Sequence, residues 1–303
     1  MVCLISAPSS LGLRPPRTGA IPGCYKAPEA LRRAGLFESF ERRGGSDCGT
    51  VEPGSYLQEV LPGSVRNQTR IVEFSRLLSS KILDTLRGGD APLVVGGDCS
   101  ILIGSGIALK KAGRYGLVHL DGYTDFRNPG NSDLVASLAG EDLAAAVGLH
   151  WDGVSDIDGL RPYFEPEATV HAGCRDGDEH ISEVAEKIGA VLPASEMRRR
   201  GMKSAASTIR ATVERTGLDG FWLHLDVDIL DPTVMPAVDS PSPGGLDCGQ
   251  LVELVERLSP GAVGAEVTIF DPELDPTGRY ARVVAGLVDE GMMHLGEESQ
   301  ARV

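Results

Sequence analysis

Basic residues are in short supply in this sequence. Twenty-nine Lys+Arg stand against 43 Asp+Glu, a formal net charge of −14 with His counted neutral. That deficit removes the positive surface that nucleic acid requires, so no nucleic-acid partner is expected. Long apolar runs are missing too. None approaches the ~18 residues of a membrane span, which argues against a membrane partner. Met1–Ser6 has no basic start, and its apolar run is shorter than the about 7–15 residues of a secretory core, so it reads as a first strand. Cys3, Cys24, Cys48, Cys99, Cys174 and Cys248 lie far apart with no Cys-x-x-Cys pair. Zinc knuckles and dithiol redox motifs are therefore excluded, and a reduced, cytoplasmic protein is expected.

What is present is ordinary globular composition, with 42% apolar and 24% charged residues over 303 positions, enough for one large α/β domain or two small ones. Short apolar runs predict buried strands at Val2–Ile5, Leu93–Val95, Gly116–Leu120, Ala168–Ala172, Phe221–Leu225 and Ala262–Val267. Between them a spacing of three or four predicts helices. The clearest is Val65–Leu86, carried by Ile71, Phe74, Leu77, Leu78, Ile82 and Leu86. Others are expected over Ala27–Leu36, Ile101–Lys111, Asp142–Val147, Ser182–Ile188, Ala205–Arg215, Gly249–Leu258 and Ala281–Met292. Strands alternating with helices predict a parallel sheet covered on both faces. No repeat or low-complexity tract divides the chain, and the Gly/Pro-rich pieces Leu11–Gly23, Arg43–Pro62 and Ser240–Gly245 read as loops, so one domain over residues 1–303 is expected.

Open parallel sheets bind ligands beyond the carboxyl ends of their strands, so the residues following each strand carry the functional argument. Gly96-Gly97-Asp98-Cys99-Ser100 follows one strand, Asp121-Gly122-Tyr123-Thr124-Asp125 a second, and Asp226-Val227-Asp228-Ile229-Leu230-Asp231-Pro232 a third. Any one such Asp is more often a helix cap or turn former than a ligand. If the strands are neighbours, however, Asp121, Asp125, Asp226 and Asp228 converge. Four carboxylates so placed must either protonate or neutralise a cation, and hard oxygen donors suit Mn²⁺ or Mg²⁺. His119 and His224 fall inside predicted strands and read as hydrogen-bonded core or supporting residues.

These motifs resemble the ureohydrolase family, which includes arginase, agmatinase and formimidoylglutamase. The family's Gly-Gly-Asp-His-Ser corresponds to Gly96–Ser100, its Asp-Ala-His-x-Asp to Asp121–Asp125, and its Asp-x-Asp-x-x-Asp-Pro to Asp226–Pro232. The resemblance implies a three-layer α/β/α fold with a central, mostly parallel sheet. It also implies a binuclear Mn²⁺ centre and hydrolysis of a guanidino or amidino C–N bond by metal-bound hydroxide. By position, Cys99, Asp121, Asp125 and Asp226 would hold one ion, and Asp121, Tyr123, Asp226 and Asp228 the other. Asp125 would be catalytic, orienting the attacking hydroxide. Asp178 and Arg127 would meet the amino and carboxylate groups of a small-molecule substrate, with Asn131 in the same substrate-facing loop. Family members form trimers or hexamers, while the composition leaves monomer and homo-oligomer equally open.

Four positions depart from the family pattern. Cys99 and Tyr123 replace metal-binding His residues, and Cys at the first position resembles the branch that includes Nω-hydroxyarginine hydrolase. Ala139 stands where arginase has a proton-shuttling His, leaving Asp133 and Glu141 as stand-ins. Ile269 stands where a Glu pairs with a guanidinium, which shifts the expected substrate towards a less basic N-hydroxyguanidine. The rival expectation is a catalytically divergent or inactive member that binds a small molecule or assembles with a partner.

Overall fold

The computed structural model describes residues 1–58 and 60–300. Eight strands form one sheet: β1 (Val2–Ala7), β2 (Ser46–Thr50), β3 (Ala91–Gly96), β4 (Tyr115–Leu120), β5 (Thr169–Ala172), β6 (Ala190–Leu192), β7 (Gly220–Asp226) and β8 (Ala262–Thr268). Their order is β2-β1-β3-β8-β7-β4-β5-β6, and every pairing is parallel. The last strand thus sits between the first three and the middle four.

Side chains alternate between faces along each strand, as a period of two requires. Leu4, Leu93, Val95, Val118, Leu120 and Leu223 enter one apolar core, while Ile5, Val94, Leu117 and Trp222 enter the other. The second core is capped by helix Gln68–Arg87, whose Ile71, Phe74, Leu78 and Ile82 face inward at the expected spacing, while Leu77, expected on that face, is exposed to solvent. Helices Met202–Val213, Cys248–Leu258 and Arg279–Gly291 close the first. This is the expected three-layer α/β/α arrangement, and the sheet is wholly parallel. No described helix is long and apolar enough to cross a membrane.

Three expectations need correction. The helix predicted over Ala27–Leu36 is two helices, Ala27–Arg33 and Leu36–Arg42, because Gly35 takes φ +91° and turns the chain. The segment read as a loop over Arg43–Pro62 contains β2. The chain is not fully reduced: Cys3 and Cys48 form a disulfide between β1 and β2, with Cα atoms 5.7 Å apart. Parallel pairing of β1 with β2 brings together cysteines 45 residues apart, a closeness that spacing alone does not reveal. Cys24, Cys99, Cys174 and Cys248 are free.

Candidate metal centre

β7 pairs with β4, with Leu225 opposite Leu120, so Asp226 and Asp121 leave the sheet side by side. β8 links β7 to β3, which delivers Cys99 to the same rim. The turns after β3 and β7 are short helical turns capped by their own aspartates. Asp98 accepts the Ser100 N–H at 2.9 Å, and Asp226 accepts that of Asp228 at 2.7 Å. Asp98 also takes the Gly12 N–H and the Ser9 hydroxyl, so it is spent on tying loops together.

Of the four clusters of possible donors among the described residues, two are built from the motif residues alone. Ligand atoms of Cys99, Asp121 and Asp125 lie within 4.8 Å of one another, and so do those of Asp121, Asp226 and Asp228, with Asp121 common to both. Cys99 Sγ donates to Asp226 Oδ2 at 2.8 Å and lies 3.1 Å from Thr268 Oγ1. Burial pushes the carboxyls of Asp121, Asp125 and Asp226 well above the usual range, and neighbouring carboxylates push further. The Cys99 thiol is raised by burial and then by Asp226. Asp228 is raised less, because the Gly122 N–H donates to it at 2.9 Å. Crowded acids with an orphan oxygen, Asp121 Oδ2, fit one or two divalent cations. The fit does not extend to Tyr123 as it stands, since its hydroxyl donates to the Ser240 carbonyl at 3.0 Å.

Asp125, Asp226 and Asp228 line the floor of an open cavity of about 570 Å³. Asp125, Arg127 and Asp178 line it; Asn131 does not. Asp178 is held by the Thr124 N–H and hydroxyl and the His180 N–H, which fixes the orientation of its carboxylate. Asn131 shapes the loop: its amide reaches the Phe126 carbonyl and Glu183, and its oxygen accepts the Asn128 N–H. Arg127 Nε donates to Glu141 Oε1 at 3.3 Å. Glu141 is fully buried, also bonded to His150 Nε2 at 3.1 Å and to two backbone N–H groups. It therefore anchors Arg127 and does not face the cavity. Asp133 is exposed and lies off the cavity wall.

Ala139 and Ile269 both line the cavity, so both departures face the candidate substrate. Ile269 adopts φ +70°, a conformation that costs a β-branched residue strain, and is held there by its N–H to the Gly97 carbonyl.

Residues 1–294 match the family model described as "Arginase family". The chain belongs to the arginase family. It is 32% identical to the arginase of Bacillus caldovelox over 297 residues, covering 95% of this chain and 96% of that one. It is 30% identical to the arginase of Brevibacillus brevis over 284 residues, 88% of this chain and 91% of that one. Among solved structures of the family, B. caldovelox arginase superposes with a TM-score of 0.85 at 28% identity, covering 96% of this chain and 97% of that one. Proclavaminate amidino hydrolase from Streptomyces clavuligerus shares the arginase-family fold at a TM-score of 0.72 and 20% identity, over 99% of this chain and 92% of that one.

Arg14, His180 and Asp239 line the cavity but have no counterpart in the motif reading. They come from loops without periodicity, so spacing offers no signal for them. Asp239 has its carboxyl pushed up to about 6, by surrounding protein atoms and then by Asp228.

Proposed function

We propose that the protein is a divalent-metal-dependent hydrolase of a C–N bond in a small guanidino, N-hydroxyguanidino or amidino compound. The supporting observation is the pair of donor groups sharing Asp121 beside an open cavity that Asp125, Asp226 and Asp228 line. Cys99, Asp121, Asp125 and Asp226 would hold one ion and Asp121, Asp226 and Asp228 a second. Mn²⁺ suits the oxygen donors, and Tyr123 would join them only on leaving Ser240. Divalent ions held there would supply activation of a water and polarisation of the substrate's central carbon.

The chain's own residues supply the rest. Asp125, half-buried on the cavity wall, orients the attacking water and takes its proton. Arg127, held by Glu141, receives the substrate carboxylate, and Asp178 an ammonium. With Ala139 in place of an imidazole, the leaving amine takes its proton from solvent or from His180 on the cavity wall. Ile269 offers no anion to a guanidinium, which favours a weakly basic Nω-hydroxyarginine-like substrate over a plain guanidine.

The test is Asp228→Asn in Mn²⁺-reconstituted protein, assayed against L-arginine, Nω-hydroxy-L-arginine and an N-formimidoyl amino acid. Wild-type turnover on one of them, reduced at least about 100-fold in the variant, is expected. Equal turnover in the variant refutes the reading. A wild-type protein inert on all three, with metal bound, supports the alternative of a non-catalytic binding protein.

A further inference from the structure

The disulfide joins the most exposed strand of the sheet to one that is buried. β1 is buried from Cys3 to Ala7, whereas β2 exposes Ser46, Asp47, Gly49 and Thr50 and offers the core only the half-buried Cys48. As an edge strand β2 has a hydrogen-bonding neighbour on one side alone, its register slips between Leu4 and Ser6 of β1, and Gly49 takes φ +85° at the slip. Its ion pair, Asp47 with Arg32 at 2.6 Å, has both side chains 31–35% exposed, where solvent screening leaves little. β2 is therefore an element of low local stability, and the Cys3–Cys48 bond is its firmest attachment.

The chain that follows β2 reaches the cavity. Residues 51–67 carry no described helix or strand before the helix that starts at Gln68, and side chains of this segment clasp the loop of residues 11–20. Tyr56 donates its hydroxyl to the Leu13 carbonyl at 2.8 Å, Asn67 its amide to the Leu11 carbonyl at 2.8 Å, and Gln58 bonds both the Gly19 N–H and the Ala20 carbonyl. Leu13 and the next residue, Arg14, lie on the cavity wall. Each bond of the clasp is individually weak, so its persistence depends on the anchoring of the chain at its two ends, β2 on one side and the helix at Gln68 on the other.

We propose that the Cys3–Cys48 disulfide is a redox-operated latch on the cavity. Closed, it fixes β2 and holds the clasp against residues 11–20; opened by a dithiol reductant, it frees β2 and loosens the wall that Leu13 and Arg14 form. The step is thiol–disulfide exchange. A thiolate of the reductant attacks Cys48 Sγ, the half-buried sulfur, because Cys3 is only 3% exposed. The S–S bond breaks, and Cys3 leaves as a thiolate that takes up a proton beside Thr85 Oγ1, 3.4 Å away. The second thiol of the reductant then displaces Cys48, which is protonated in turn, and the reductant departs as a disulfide, so that two electrons and two protons have passed to the protein. An oxidised dithiol reverses the exchange. Cys99 is buried and already a free thiol, so the same reductant leaves the rim donors as they are.

The test compares the full-length protein in excess oxidised dithiothreitol with the same protein in reduced dithiothreitol. Thiol titration in denaturant should count four thiols per chain in the first state, those of Cys24, Cys99, Cys174 and Cys248, and six in the second. Amide hydrogen exchange in residues 11–20 and 51–58 should quicken at least about tenfold on reduction, with β4 and β7 unchanged. Cys48→Ser should exchange as reduced wild type does and ignore the reductant, which ties the effect to this bond. Six thiols in the oxidising state, or the same exchange in both states, overturns the proposal and needs no variant to fold. The activity measurement rests on the proposed hydrolase reading: on the substrate turned over, KM should rise at least about threefold on reduction with kcat changed less, because the loosened wall carries none of the rim donors. Equal KM in both states overturns the latch's hold on the cavity. A protein inert on every substrate refutes the hydrolase reading instead, and the exchange comparison still decides the latch.

Discussion

Replacing Glu141 by Gln isolates the charge that holds Arg127. Glu141 accepts hydrogen bonds from Arg127, His150 and the N–H groups of Ala136 and Ser137, and its side chain is fully buried. Burial raises its pKa, but His150 and the two N–H groups outweigh that and leave it below the usual value. A glutamine keeps the shape and one acceptor oxygen for the backbone, yet turns an NH₂ towards donors. A hydrogen bond to a charged group contributes about 1.5–3 kcal/mol, and Arg127 is 26% exposed, which screens its share. A loss of about 2 kcal/mol at pH 7 follows, measured as a lower urea midpoint. The sign with pH is fixed. A carboxyl depressed in the folded state stabilises above its unfolded pKa, and that contribution fades as pH falls through the folded value. The gap between wild type and variant should therefore shrink in acid, where the protonated carboxyl resembles the amide. Equal midpoints at pH 7, or a gap that ignores pH, would refute the assignment. On a carboxylate-bearing substrate, KM should rise more than kcat falls, because Arg127 loses its anchor.

Two further outcomes follow from the geometry. Stripping metal with a chelator should lower the melting temperature, and restoring Mn²⁺ to about 100 times its Kd should return about 2.7 kcal/mol per site; a melting temperature indifferent to metal would contradict a cation among these carboxylates. Gly122→Ala should destabilise by about 1–3 kcal/mol, because a Cβ there would lie 2.5 Å from Arg175 Nη1 and 2.6 Å from the Asp228 carbonyl, displacing the guanidinium that binds that carbonyl. Family motifs carry Ala at this position, so a variant as stable as wild type would mean Arg175 yields without cost.

The central strands were legible because both their faces are buried: the apolar runs at Leu93–Val95 and Phe221–Leu225 each fall within one residue or two of the observed ends. The edge strands were not. β2 is the polar stretch Ser46–Thr50, largely exposed, and β6 is three residues long, so neither buries enough to leave a pattern. The rim carboxylates were readable because each motif directly follows a strand. Asp239 and His180 were not, since both lie in loops outside the motifs, His180 two residues beyond Asp178. His119 and His224 were visible as strand residues, but only the pairing of β4 with β7 reveals that their rings stack 4.6 Å apart inside the sheet.

The position of β8 bears on how the molecule comes into being on the ribosome. Residues 262–268 fill the gap between β3 and β7, so until they emerge, the amino-terminal three strands and the middle four each present a bare interior edge. Cys99 belongs to one half and every rim aspartate to the other. A nascent chain thus cannot assemble the complete donor set until nearly nine-tenths of it has been made, and its two half-sheets are the stretches a chaperone would have to shield in the meantime.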